Sequence, residues 1–143
     1  MMMFDVMDRF TGAVKFTAEI DCTSEAALAS KMRLAVQWAL KEGCSLTGAD
    51  LAGADLAGAD LVGACLALAN LEKTNFVCAD LAGADIMRAN LTGANLACAN
   101  LEGANLTGAN LTDANLEGSD LAGAELMDAC LTGTISPLGF RYR

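Results

Sequence analysis

From Cys44 to Gly133 a large apolar side chain recurs at every fifth position, from Leu46 and Leu51 through to Leu126 and Leu131, and only Phe76 and Ile86 depart from leucine. Two positions before each centre stands a small residue, which is Ala throughout except for Cys44, Thr74 and Ser119. Between them sits a polar residue, usually Asp or Asn. A period of five suits neither a helix at about 3.6 nor a strand at about 2, and a coiled coil needs about 3.5. It suits a solenoid that takes one short side per repeat, with small and large inward residues alternating.

Residues 1–43 follow other rules. Val14, Phe16, Ala18 and Ile20 alternate with Lys15, Thr17 and Glu19, which predicts a half-buried strand. Phe4 to Phe10 can pair with it through a turn near Thr11-Gly12. Leu28, Met32, Ala35, Val36, Ala39 and Leu40 fall on one side of a predicted helix, with Thr23 or Ser24 as its expected N-cap and Gly43 as its stop. Leu34 and Trp38 flank that stripe, and Trp38 is expected to pack locally rather than to anchor a partner. A solenoid end exposes core and unpaired backbone, so this segment reads as an N-terminal α+β cap.

The rule A-(D/N)-L-x-G runs through eighteen units, 90 of the 143 residues, without insertion or deletion. In this the chain resembles the pentapeptide-repeat family. The resemblance implies an all-β solenoid, a right-handed quadrilateral β-helix with four repeats per coil. Ninety residues at twenty per coil make about 4.5 coils, and at about 4.8 Å per coil a rod of about 22 Å. The expected organisation is a cap at 1–43, the β-helix at 44–133 and a C-terminal tail at 134–143 that breaks the repeat. Gly stands two positions after the centre in eleven units, while Leu68, Lys73, Cys78, Arg88, Cys98, Asp113 and Asp128 replace it in the others. Since those residues disfavour positive φ, a mixture of turn types is expected.

Charge and chemistry narrow the function. The formal charge is −9, from 18 acids and 9 bases with no His, which argues against a basic surface for nucleic acid or anionic lipid. No window holds the roughly 18 apolar residues of a spanning helix, and the N-terminus lacks the basic and long apolar regions of a signal peptide. A cytoplasmic location is the corresponding expectation. The six cysteines form no CxxC pair, and free thiols are expected even for Cys78 and Cys98, which stand twenty apart and so become neighbours. No nucleophile with a base, phosphate loop or calcium-roll motif occurs, so neither an enzyme, a metal nor a cofactor is expected.

Residues twenty apart stack, which lines Asp60 over Asp80, Asn100 and Asp120, with Glu102 nearby, as a candidate partner-binding acidic column. Other outward columns hold Thr92, Thr112 and Thr132, or Met87 and Met127. In the tail, Phe140 and Tyr142 are the candidate contact of a homodimer. The primary expectation is a non-catalytic scaffold that binds an unidentified protein through its flat faces. The resemblance also implies an alternative, because some members of the family mimic DNA and bind gyrase or topoisomerase IV, protecting it from quinolones. Against that alternative, no acid occurs from Ile86 to Leu101, which leaves a neutral gap in any DNA-like row.

Overall fold

The computed structural model describes residues 1–139. Strand β1 (Met2–Met7) pairs antiparallel with β2 (Val14–Ile20), with Val6 opposite Phe16 and Phe4 opposite Ala18. Val6, Ala18 and Ile20 are buried on the inner face. Asp8 holds the loop between the strands, because its Oδ1 accepts the N–H groups of Thr11 (2.9 Å) and Phe10 (3.0 Å) and the Thr11 hydroxyl (3.0 Å). The Thr11 amide, then the Phe10 amide, keep the Asp8 carboxyl below its ordinary pKa. A carboxyl whose folded pKa is depressed supports the loop fully above its unfolded pKa and loses that support as pH falls through the folded value. The amide resonances of Thr11 and Phe10 are therefore expected to shift at a pH below the ordinary aspartate range in an NMR titration, and not in Asp8→Ala.

Helix α1 (Leu28–Lys41) buries Ala35, Val36 and Ala39, while Leu28 stays 61% exposed. The Trp38 ring stacks on Phe16 with centroids 6.1 Å apart, so its packing is local, onto the hairpin. The expected N-cap is not the observed one. The helix starts from Ala27, without a side-chain cap. Thr23 and Ser24 lie in a preceding turn, where their carbonyls accept from the Ala26 N–H (3.1 Å) and the Lys31 ammonium (2.6 Å). The C-terminus is as the Gly implies: Gly43 has φ 71°, its N–H reaches Leu40 and the Cys44 N–H reaches Ala39, a Schellman closure. No described helix is long and apolar enough to cross a membrane.

Within the stacked coils the backbone donors follow one pattern, which the unit Asn70 to Thr74 shows. The Asn70 N–H bonds back to Ala49 (2.9 Å), while the Leu71 and Lys73 N–H groups bond forward to Asn90 (2.8 Å) and Thr92 (2.9 Å). The Thr74 N–H closes the turn on the Leu71 carbonyl at 3.1 Å. That leaves the Glu72 N–H, which the Asn70 Oδ1 accepts at 3.3 Å. Bridges between residues twenty apart run from Asp50 and Asn70 to Asn115 and Ile135, so four five-residue sides complete each turn of the solenoid. The centres from Leu46 to Leu116 are buried. Where the small position is not Ala, the buried hydroxyl is satisfied by a carbonyl: Thr74 on Leu51, Ser119 on Leu116 and Thr134 on Leu111.

The corners overturn the expectation of mixed turns. All seven non-glycine residues at that position adopt positive φ, from 55° at Arg88 to 60° at Leu68, beside glycines in the same conformation. One turn geometry serves all eighteen repeats, with positive φ at the third of its four residues as in a type II turn. The reason is the ladder. The N–H of this residue carries an inter-coil bond, such as Arg88 to Thr107 at 2.9 Å, and a different turn would misplace it.

At the first coil, Asp8 bridges Ala49 antiparallel, the Arg9 N–H reaches Gly48 and the Asp50 N–H reaches Met7. The Arg9 guanidinium bonds the carbonyls of Leu68 (3.1 Å) and Ala69 (3.0 Å), tying the hairpin to the second coil as well. At the other end the stack does not stop at Gly133. Ile135 bridges Asn115, Leu116 bonds Ile135 and Gly118 bonds Pro137, so Thr134 to Leu138 form a nineteenth, degenerate unit. Backbone pairing needs no particular side chain, and Thr134 (0% exposed) and Ser136 (7%) are small enough for the inward positions. Phe140 and Tyr142 lie outside the described residues.

Candidate functional site: an acidic face beside a glycine corner

The residues on either side of each centre make four outward faces. One of them, centred on Leu61, Leu81, Leu101 and Leu121, carries Asp60, Asp80, Glu102 and Asp120 and, among the described residues, no base. The bridges place Asp60 on Asp80, Asp80 on Asn100 and Asn100 on Asp120, so the predicted column exists as a stack. Asp60, Glu102 and Asp120 are exposed, and Asp80 and Asn100 are half-buried. Among the described residues none of the four acids makes an ion pair, and the bridge between Lys73 and Glu72 (3.3 Å) lies on another face.

These aspartates also have a structural task that the sequence reading did not assign. Asp60, Asp80 and Asp120 accept the N–H groups of Val62 (3.2 Å), Ala82 (3.1 Å) and Ala122 (2.9 Å) through Oδ1. The same bond forms at every Asp or Asn in this repeat position, from Asp50 to Asp120. It is an Asx turn, and it meets the one donor per repeat that no carbonyl takes. Asn70, Asn75, Asn90 and Asn100 add a second bond, in which Nδ2 donates to the residue one coil earlier, as in Asn70 to Asp50 (2.9 Å) and Asn100 to Asp80 (3.0 Å). Asp60 and Asp80 offer each other only acceptors, so two like charges stack at about one strand spacing, roughly 4.8 Å.

The corner beside this face is Gly63, Gly83, Gly103 and Gly123, whereas each other corner carries side chains such as Lys73, Arg88 or Cys78. A Cβ built on Gly63, Gly83 or Gly103 would meet nothing within 4 Å. A partner surface can therefore approach the backbone here more closely than at any other corner. The remaining columns are less available. The Thr92 and Thr112 hydroxyls are spent on Asn90 and Asn110, each at 2.6 Å, and Thr107 separates half-buried Met87 from exposed Met127. Cys130 takes an Asp/Asn position, and its contact with the Thr112 hydroxyl lowers its thiol pKa.

Comparison with known proteins agrees with this architecture. The sequence model of pentapeptide repeats matches residues 42–72, 64–97 and 99–135, in eight copies. Among solved structures, the pentapeptide repeat protein Rfr23 from the cyanobacterium Cyanothece 51142 is 41% identical with a TM-score of 0.57, over 62% of this chain and 58% of that one. Another, alr5209 from Nostoc PCC 7120, is 35% identical with a TM-score of 0.52, over 52% of this chain and 62% of that one. The match thus spans less than two thirds of either relative. QnrB1, a plasmid-mediated fluoroquinolone resistance protein, is 19% identical over 64% of this chain and 57% of that one, with a TM-score of 0.32. No curated protein matches the chain. With a five-residue repeat that closes every twenty residues and a family model covering most of its length, the chain belongs to the pentapeptide-repeat family.

Proposed function

We propose that the protein is a non-catalytic scaffold whose acidic, glycine-cornered face binds a protein partner with a basic surface. The observation that carries this reading is the coincidence, among the described residues, of Asp60, Asp80, Glu102 and Asp120, without a base, with the one corner that bears no side chain. Residues 1–43 act as the cap of the rod, keeping the first coil from pairing with another molecule. Charge on the face steers the encounter, and the flat backbone lets the two surfaces close.

The Asx turns supply a clean test. Asn accepts the same N–H bond as Asp, and it already serves at the equivalent position in Asn70, Asn75 and Asn90. The triple variant Asp60→Asn, Asp80→Asn, Asp120→Asn therefore removes three charges and keeps the fold. Its melting temperature is expected to stay level or rise slightly as the stacked charges are relieved. Proteins captured at low salt by the wild type should bind it about tenfold less well, with each of the three charges contributing roughly 0.5 kcal/mol. Equal capture by both would remove the acidic face from the interface.

The second reading, a type II topoisomerase partner, is favoured only by the even stacking of these carboxylates, and Asn100 interrupts it. A gyrase supercoiling assay with and without a quinolone separates the two. Inhibition or drug protection that the triple variant loses would make gyrase the partner, and no effect at micromolar protein would leave the general scaffold.

A further inference from the structure

We propose that Cys78 and Cys98 form a dithiol modification site, which a small-molecule disulfide of the glutathione class converts into a covalent bridge between successive coils. The two residues occupy the same corner of adjacent coils: Asn75 bridges Asn95 just before them and Asp80 bridges Asn100 just after. Their N–H groups make matching forward bonds, Cys78 to Ala97 (2.9 Å) and Cys98 to Glu117 (2.8 Å). Their backbones are nearly identical, with φ of 56° and 57°. Both thiols are free and exposed.

The direction of the side chains at these corners sets the Cys78 sulfur over the Cys98 side chain. A Cβ on Gly118 would lie 3.3 Å from the Cys98 Sγ, on Gly108 it would lie 3.2 Å from the Arg88 Cγ, and on Gly93 it would lie 3.5 Å from the Lys73 Cγ. Each such side chain leans forward over the next coil. By that lean Cys78 carries its sulfur toward Cys98, while Gly58 on the coil before leaves the pair accessible. The Cα atoms stand about one strand spacing apart, roughly 4.8 Å, inside the roughly 4.4–6.8 Å range of disulfides. Closing the bond takes a rotation of the Cys98 sulfur from the Gly118 side back toward Cys78, with a small adjustment of two surface turns that brings the Cβ separation to about 3.8 Å.

The chemistry is ordinary thiol–disulfide exchange. One cysteine thiolate attacks a sulfur of the small disulfide, forming a mixed disulfide and releasing one small thiolate. The neighbouring cysteine thiolate then attacks the protein sulfur of that mixed disulfide, which forms the Cys78–Cys98 bond and releases the second small thiolate. The two cysteine protons pass through water to the two released thiolates. Two protein thiols are oxidised and one small disulfide is reduced.

The test uses the full chain carrying Cys65→Ser and Cys130→Ser, which removes the other exposed thiols, incubated reduced with excess glutathione disulfide. Intact mass spectrometry should show a monomer lighter by two hydrogen atoms, and peptide mapping should join Cys78 to Cys98. In the same background Cys78→Ser and Cys98→Ser should each retain one glutathione adduct and form no bridge. Separate glutathione adducts on both cysteines, an unmodified pair, or a bridge that forms only between molecules would overturn the proposal.

Discussion

Replacing Phe76 with alanine is expected to cost about 3–5 kcal/mol of unfolding free energy, whereas Phe76→Leu costs less than about 1.5 kcal/mol. Phe76 is fully buried at the middle of the stack, with Leu56 and Leu96 one coil away on either side. Alanine would leave a cavity that the coils cannot close, because each is fixed to its neighbours by three bonds per side, as Leu71, Lys73 and Asn70 illustrate. Leucine is the residue at nearly every other centre, so the same space accepts it with modest repacking. Urea unfolding followed by circular dichroism measures both. A loss under about 1 kcal/mol for the alanine variant would mean that the coils collapse around small centres and that the axis is not close-packed.

The corners carry the second large effect. Leu68, Lys73 and Arg88 hold φ of 60°, 56° and 55°, a region where a Cβ crowds its own backbone at about 1–2 kcal/mol per residue. Glycine removes that strain and returns about 0.5–1 kcal/mol through its larger unfolded-state entropy. Changing all three to Gly should therefore stabilise the protein by roughly 1.5–3 kcal/mol, a gain of about 5 °C or more in melting temperature. Changing all three to Ala keeps the Cβ and should bring no such gain. Asp113 and Asp128 are poorer targets, since Asp tolerates this conformation better than a long side chain. Equal melting points for the Gly and Ala variants would show that the turns are not strained.

The axis of this fold is written openly in the sequence. A strict period of five with alternating Leu and Ala names the inward residues before any coordinates exist, and the hairpin and helix follow from period-two and helical spacing. The turn geometry was not legible, because local preference at Lys73 or Arg88 points away from positive φ. There the coil-to-coil ladder, a long-range feature, overrides the residue. The role of the Asp and Asn positions was half legible. Their outward placement follows from the period, but their use as acceptors comes out only when every N–H of a repeat is assigned and the one at Glu72 is left to Asn70. That two side-chain types with the same reach share this position was the available signal. Thr23 misled for a related reason, since a good capping residue needs the chain to enter the helix directly after it, and here Ala26 turns back on it first.

The unbroken pairing of residues twenty apart makes each face a matter of phase. A duplication of one repeat would advance every later residue by a quarter revolution, carrying Asp120 away from Asp80 and scattering the acidic column over two sides. A duplication of four repeats would lengthen the rod and return every surface to its place. Descendants of this chain can therefore change length freely only in steps of twenty residues if a particular side is to keep its set of residues, while any multiple of five preserves the axis. Growth in the wrong multiple would leave a stable molecule with its acidic face dealt out to new directions.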